Sequence, residues 1–188
     1  SLPNLPPPPT VSLPQMLSIL LFVSLLGFSS AKCGFPNGTE SHIVWWQGPT
    51  TGNVQFTELN PVDSKGNVEY PIHLTAPLYV QTHIINKQND FVVGKLMQSI
   101  KIYQYGGWAG CSWSEVPTFG LLDNVDACTN GVKCPVKMGE EDMIVTIDFT
   151  QYKNIIGLLD NDSPYQLEMK LTDKMSNTYV TLVVQARA

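Results

Sequence analysis

Cys128-Thr-Asn-Gly-Val-Lys-Cys134-Pro135-Val136 leads into Met143-Ile-Val-Thr-Ile-Asp-Phe149. The two cysteines close a short polar loop around Asn130-Gly131, a turn dipeptide whose Gly takes positive φ at no steric cost. The second segment alternates: Met143, Val145, Ile147 and Phe149 share one face, and Ile144, Thr146 and Asp148 the other. A disulfide-pinned loop feeding a half-buried strand predicts the rim of an antiparallel sheet in an oxidised compartment.

Outward from this stretch the same chemistry repeats. Residues 43–47, 53–57, 68–74, 78–85, 98–105, 165–172 and 178–185 are rich in Val, Ile, Tyr and Leu. Between them lie turn formers such as Gly-Pro-Thr-Thr-Gly and Asp-Ser-Lys-Gly-Asn. With 143–149 this makes eight short strands, the spacing of an all-β antiparallel sandwich or barrel. Only 151–160 departs, with Tyr152, Ile155, Ile156 and Leu159 at helical spacing, and is expected to form one or two helical turns. The predicted inward rows are Val80, Thr82 and Ile84; Ile100 and Ile102; Tyr165, Leu167, Met169 and Leu171; and Val180, Leu182 and Val184.

Residues 1–31 contain no charged side chain. From Met16 an apolar run ends in Ser29-Ser30-Ala31, small residues at the positions a signal peptidase reads, so 16–31 is expected to be a secretory signal. The run falls short of the roughly 20 residues of a membrane span. Residues 1–15, with six prolines, are expected to carry neither structure nor function. The mature part, 32–188, then suits one domain.

All 11 basic and 16 acidic residues fall in that part, for a net charge of −5. The balance argues against nucleic acid or an anionic membrane as an electrostatic partner. Charged residues make up 14% of the chain against 43% hydrophobic, which points to much apolar surface to bury or an apolar ligand to enclose.

Four cysteines permit three pairings. Proximity favours Cys128 with Cys134, leaving Cys33 with Cys111. The spacing lacks Cys-x-x-Cys, and His42, His73 and His83 are not at finger-like intervals, so no metal is expected. Asn37-Gly-Thr and Asn161-Asp-Ser are glycosylation acceptors. No Gly-x-Ser-x-Gly, His-Glu-x-x-His or phosphate-binding glycine loop is present, and Asp160-Asn-Asp162 lacks the Gly and terminal Glu of a calcium loop. Neither a catalytic residue nor a cofactor is expected, and the chain reads as no enzyme.

The order of landmarks adds a resemblance. Cys33-Gly34 precedes a run of strands, then Val116-Pro-Thr-Phe119-Gly120, Asp126-Ala-Cys128, the Cys-Pro-Val knuckle, Gly139 and Ser163-Pro-Tyr165, then Leu171-Thr-Asp173-Lys174 and a terminal strand. This resembles the ML lipid-recognition family, secreted immunoglobulin-like sandwiches that include the Niemann-Pick-type sterol carrier. Residues 126–188 carry most of the likeness. The resemblance implies two splayed sheets enclosing a sterol, fatty acid or phospholipid, in a secreted monomer with an extracellular or endolysosomal destination. Transient membrane or receptor contact is implied as well. By position it places Phe119, Pro135 and Val136 at the cavity mouth. Val80, Ile84, Ile100, Ile102, Val145, Ile147, Leu167, Met169, Leu182 and Val184 would form its walls. The chain departs from the pattern in having no cysteine on its last strand; Cys111 lies instead in the insert Gly106-Gly-Trp-Ala-Gly-Cys-Ser-Trp113. A sandwich that binds a protein or glycan through its loops is the competing reading.

Overall fold

Alternation of β-branched and polar residues between turn formers leaves each strand one dry face, and two such faces bury each other. The computed structural model describes residues 33–107 and 110–188. The expected signal segment, residues 1–15 and Trp108 lie outside the described residues. The chain forms an immunoglobulin-like antiparallel β-sandwich. One sheet runs β1 (Val44–Thr50), β9 (Thr178–Arg187), β8 (Pro164–Asp173), β4 (Leu96–Tyr105) and β5 (Trp113–Val116), with β6 (Val125–Asp126) also paired to β4. The other runs β2 (Val54–Val62), β3 (Leu78–Asn86) and β7 (Gly139–Ile147).

Seven of the eight expected strands are present. Residues 68–74 are not a strand. The segment instead crosses between the sheets, with Glu69 N–H donating to Pro61 O (3.1 Å) and Ile72 N–H to Arg187 O (2.9 Å). The Tyr70 hydroxyl accepts from Arg187 N–H (2.7 Å) and donates to Thr39 O. Pro71 has no N–H to give a ladder, so this apolar stretch is a strap. The expected strand at 143–149 begins earlier, at Gly139, and ends at Ile147. Asp148 then caps a short 3-10 turn, Phe149–Gln151, by accepting from Thr150 N–H at 2.9 Å. A helical turn at Lys153–Ile156 follows, inside the range predicted for it.

That excursion fills one side of the sandwich. Phe149 and Ile155 pack with Ile100, Ile102, Val116, Leu122 and Tyr165. The Tyr165 hydroxyl donates to Asp160 O (2.7 Å), and burial pushes its phenol up to about 12. The rest of the interior lies between β8 and β9 on one side and β2, β3 and β7 on the other. Of the adjacent tryptophans on β1, Trp45 turns to that interior and Trp46 is 41% exposed, as strand geometry requires of neighbours.

Both disulfides expected from proximity form, Cys128–Cys134 and Cys33–Cys111. The second joins residues 78 apart in sequence, and such a loop is worth about 4–5 kcal/mol in the chain-entropy account.

Candidate functional site

The two inner faces do not close on each other. Between them lies a cavity of about 100 Å³, bordered by residues from both sheets. From β2, Phe56 and Leu59 both reach it although they are three residues apart. A register shift between Phe56 and Glu58 accounts for this: the bulge resets the two-residue period. Thr82 is the polar side chain of the inward row of β3 that borders the cavity. It is 2% exposed and donates to Glu58 O (2.8 Å), which satisfies it at the bulge.

The knuckle closes a flank. Val132 and Val136 line the cavity beside Phe91, and Phe91 and Val136 exchange backbone bonds of 2.9 and 3.0 Å. The buried Gln98 of β4 donates to Asn130 O (3.3 Å), so the loop sits over the inner row of that strand.

Of the residues that the resemblance assigned to a lipid, Val136, Val80, Ile84, Val145, Ile147, Leu167, Met169, Leu182 and Val184 stand on the cavity wall. Four do not. Ile100 and Ile102 face inward, but Phe149 and Ile155 pack in their cluster, a partner the strand pattern could not reveal. Pro135 is exposed, because the chain passes outward between the buried pair Val132 and Val136. Phe119 is 73% exposed at φ +53°, in a turn closed by Leu121 N–H on Thr118 O (3.0 Å). Sequence reasoning missed Phe56, Leu59, Ile72 and Phe91 on the wall. Leu59 lies beyond the strand expected at 53–57, among the polar Glu58 and Asn60 and the ladder-breaking Pro61. Pro61 is tolerated because β2 is an edge strand.

Apart from Thr82, whose hydroxyl is satisfied by Glu58 O, the wall's polar side chains gather toward one end. There Gln88, Asp173 and Thr178 meet. The Gln88 amide donates to Thr178 Oγ1 (2.5 Å) and Ser176 Oγ (2.5 Å), and its carbonyl accepts from Asn53 N–H (3.1 Å). One side chain thus ties the β8–β9 turn to the β1–β2 turn across the gap between sheets. Asp173, 3% exposed, accepts from Ser176 Oγ (2.6 Å) and from the Met175 and Ser176 N–H groups (3.0 and 3.2 Å). Burial alone would raise its carboxyl, but these bonds outweigh it and hold the carboxyl below the usual carboxylate range.

A pH prediction follows from the sign of that shift. A folded-state pKa below the unfolded one stabilises above the unfolded pKa and is lost as pH falls through the folded value. Asp173→Asn is expected to lower stability at pH 7 by about 1–3 kcal/mol, with the difference from the parent shrinking below about pH 4. Urea midpoints at pH 7 and about pH 3 check this; a constant difference would contradict it.

The three histidines lean on separate neighbours: His42 on Ser41 (3.1 Å), His73 on Glu69 (2.8 Å) and His83 on Asp142 (2.7 Å). The Asp142 hydrogen bond holds the His83 imidazole above its usual pKa. None of them lines the cavity. Among the described residues no three His, Cys, Asp or Glu side chains converge as a metal site. Asn37 and Asn161 are both exposed, and the Asn37 amide donates to Gln185 Oε1 (2.7 Å).

No protein-family model and no curated protein matches the chain. Among solved structures it is similar to the crystal structure of a Niemann-Pick type C2 protein from Japanese carpenter ant. The two share 12% identity at a TM-score of 0.43, over 77% of this chain and 98% of that one.

Proposed function

We propose that the protein binds a lipid, a fatty acid, sterol or phospholipid, between its two sheets and carries it outside the cytosol. One observation carries the reading: inward apolar side chains from both sheets border a common cavity instead of interlocking. Val145, Ile147, Leu167, Met169 and Val184 face the interior yet are only half-buried. A sandwich selected for stability alone would close that space, since an empty cavity forfeits contact energy. The landmark order shared with the ML family supports the same reading, and the two disulfides fit an extracellular or lumenal compartment.

Transfer of an apolar chain is favoured by about 0.8 kcal/mol per buried methylene, so a dozen carbons suffice for tight holding without any catalytic group. Pockets for such ligands usually measure about 300–1,000 Å³. The present 100 Å³ therefore has to widen as ligand enters. Met143 and Met169, unbranched and facing across the gap, are the wall residues best able to yield. A flexible acyl chain demands less widening than a rigid ring system, and so is the favoured ligand.

The test is organic extraction of protein secreted from eukaryotic cells, with mass spectrometry of the extract, beside titration with a fluorescent fatty acid and a fluorescent sterol. A stoichiometric lipid, or saturable fatty-acid binding stronger than sterol binding, is expected. Absence of both a co-purified lipid and any binding would overturn the reading and leave a sandwich acting through its loops.

A further inference from the structure

We propose that the cavity selects, among single-chain lipids, one with an uncharged hydroxyl-bearing head over a fatty-acid anion, and seats that head beside Asp173, Gln88 and Thr178. The proposal rests on the reading that the cavity holds a lipid, and it names the kind of lipid.

Strand β9 borders the cavity from Thr178 to Ala186, and the two ends of that span differ. Thr178, the first residue of β9, faces Asp173, the last of β8, across the turn between them. At the far end Ala186 lines the wall with Ile43 and Ile72, where Ile72 N–H donates to Arg187 O (2.9 Å). The side chains there are hydrocarbon. An amphiphile lying along β9 therefore points its tail toward Ile72 and its polar head toward the β8–β9 turn.

Asp173 decides which head that turn accepts. Its carboxylate is 3% exposed, and among the described residues it is the one charged side chain on the cavity wall. It enters none of the ion pairs found among those residues. The Ser176 hydroxyl and the Met175 and Ser176 N–H groups keep it ionised at neutral pH without cancelling its charge. Beside a negative charge on an apolar wall, a second carboxylate is repelled. A fatty acid then has to enter protonated or leave its head in water, and either weakens its hold. A hydroxyl head meets no such cost. Because both Asp173 oxygens are already engaged, the groups left to hold a head are the Gln88 amide and the Thr178 hydroxyl, joined to each other at 2.5 Å. These are partners for a hydroxyl rather than for an ammonium.

Equilibrium dialysis of the full protein at pH 8 tests this with radiolabelled ligands that share one chain: dodecan-1-ol, laurate and dodecylammonium. Dodecan-1-ol is expected to bind about tenfold or more tighter than laurate. Asp173→Asn is expected to cut that ratio at least about tenfold. Gln88→Lys, which sets a cation beside Asp173 at a half-buried position, is expected to do the same. A ratio of two ligands on one protein is insensitive to a general loss of binding, and circular dichroism shows whether each variant is folded. Equal affinity of the parent for the alcohol and laurate overturns the proposal. So does a folded Asp173→Asn protein with the parent's ratio or, should that variant not fold, a Gln88→Lys protein with the parent's ratio. Dodecylammonium bound more tightly than the alcohol would assign this end to a cationic head and overturn it as well. The two readings fail distinguishably. Binding of none of the three ligands refutes the cavity reading and the selection with it, whereas equal binding of alcohol and acid refutes the selection alone.

Discussion

Gly131→Ala is expected to destabilise the protein by about 3–5 kcal/mol, a large share of the roughly 5–15 kcal/mol available to an ordinary domain. Gly131 sits at φ +110°, where a side chain is strained, and a Cβ there would lie 1.7 Å from the Thr146 carbonyl oxygen. That carbonyl belongs to β7 and cannot retreat without breaking the ladder to β3, where Thr146 faces Tyr79. The knuckle cannot retreat either, because Thr146 N–H donates to Gly131 O (3.0 Å) and the Cys128–Cys134 bridge holds its ends. Gly66→Ala supplies the comparison: φ is +85° but the space is open, so only about 1–2 kcal/mol is expected. Denaturant midpoints of the two variants decide it. Equal losses would mean that backbone strain alone, not contact with β7, sets the cost.

Val145→Arg is expected to reduce fatty-acid binding by about 100-fold or more. Val145 lies mid-strand opposite Val80, on the wall of the cavity. A guanidinium placed there enters a mainly apolar cavity whose one lining carboxylate, Asp173, is already engaged by Ser176 and the Met175 and Ser176 N–H groups, and it must hold water where ligand would lie. Such a loss has two sources, a blocked site or a weakened fold, so Val145→Phe accompanies it. The ring adds volume without charge to a cavity of about 100 Å³. Stability is expected to hold or rise by up to about 1 kcal/mol, as cavity filling usually does, while ligand binding falls at least about tenfold. Thermal melts beside fluorescence titrations read both quantities. A Val145→Phe protein that binds as well as the parent would place the ligand elsewhere. Val136→Trp is less informative, because Val136 is 1% exposed and the indole would disturb the cluster around Phe91.

Much of this molecule was legible before any coordinates. Strand alternation named the inward rows of β3, β7, β8 and β9, because apolar side chains recur there at every second residue, although on β9 Val183 and Gln185 of the other face are buried as well. Proximity gave both disulfides, since a six-residue spacing closes easily and leaves one remaining pair. The strand expected at 53–57 runs on through Asn60-Pro61 to Val62, because an edge strand tolerates Pro. Apolar composition misled where Pro71 stopped a strand from forming at 68–74.

The sequence by itself determined an all-β antiparallel fold, its disulfide framework and the inward rows of its most regular strands. Those properties follow from local periodicity and from the chemistry of single residues. Only the tertiary structure decided which inward rows meet a void and which meet another segment. Ile100 and Val145 read alike on their strands, yet the first is covered by the 149–156 excursion and the second borders open space. Period and composition are properties of a strand or of a whole chain. A cavity is a property of distances between strands, and these are set only when distant segments pack.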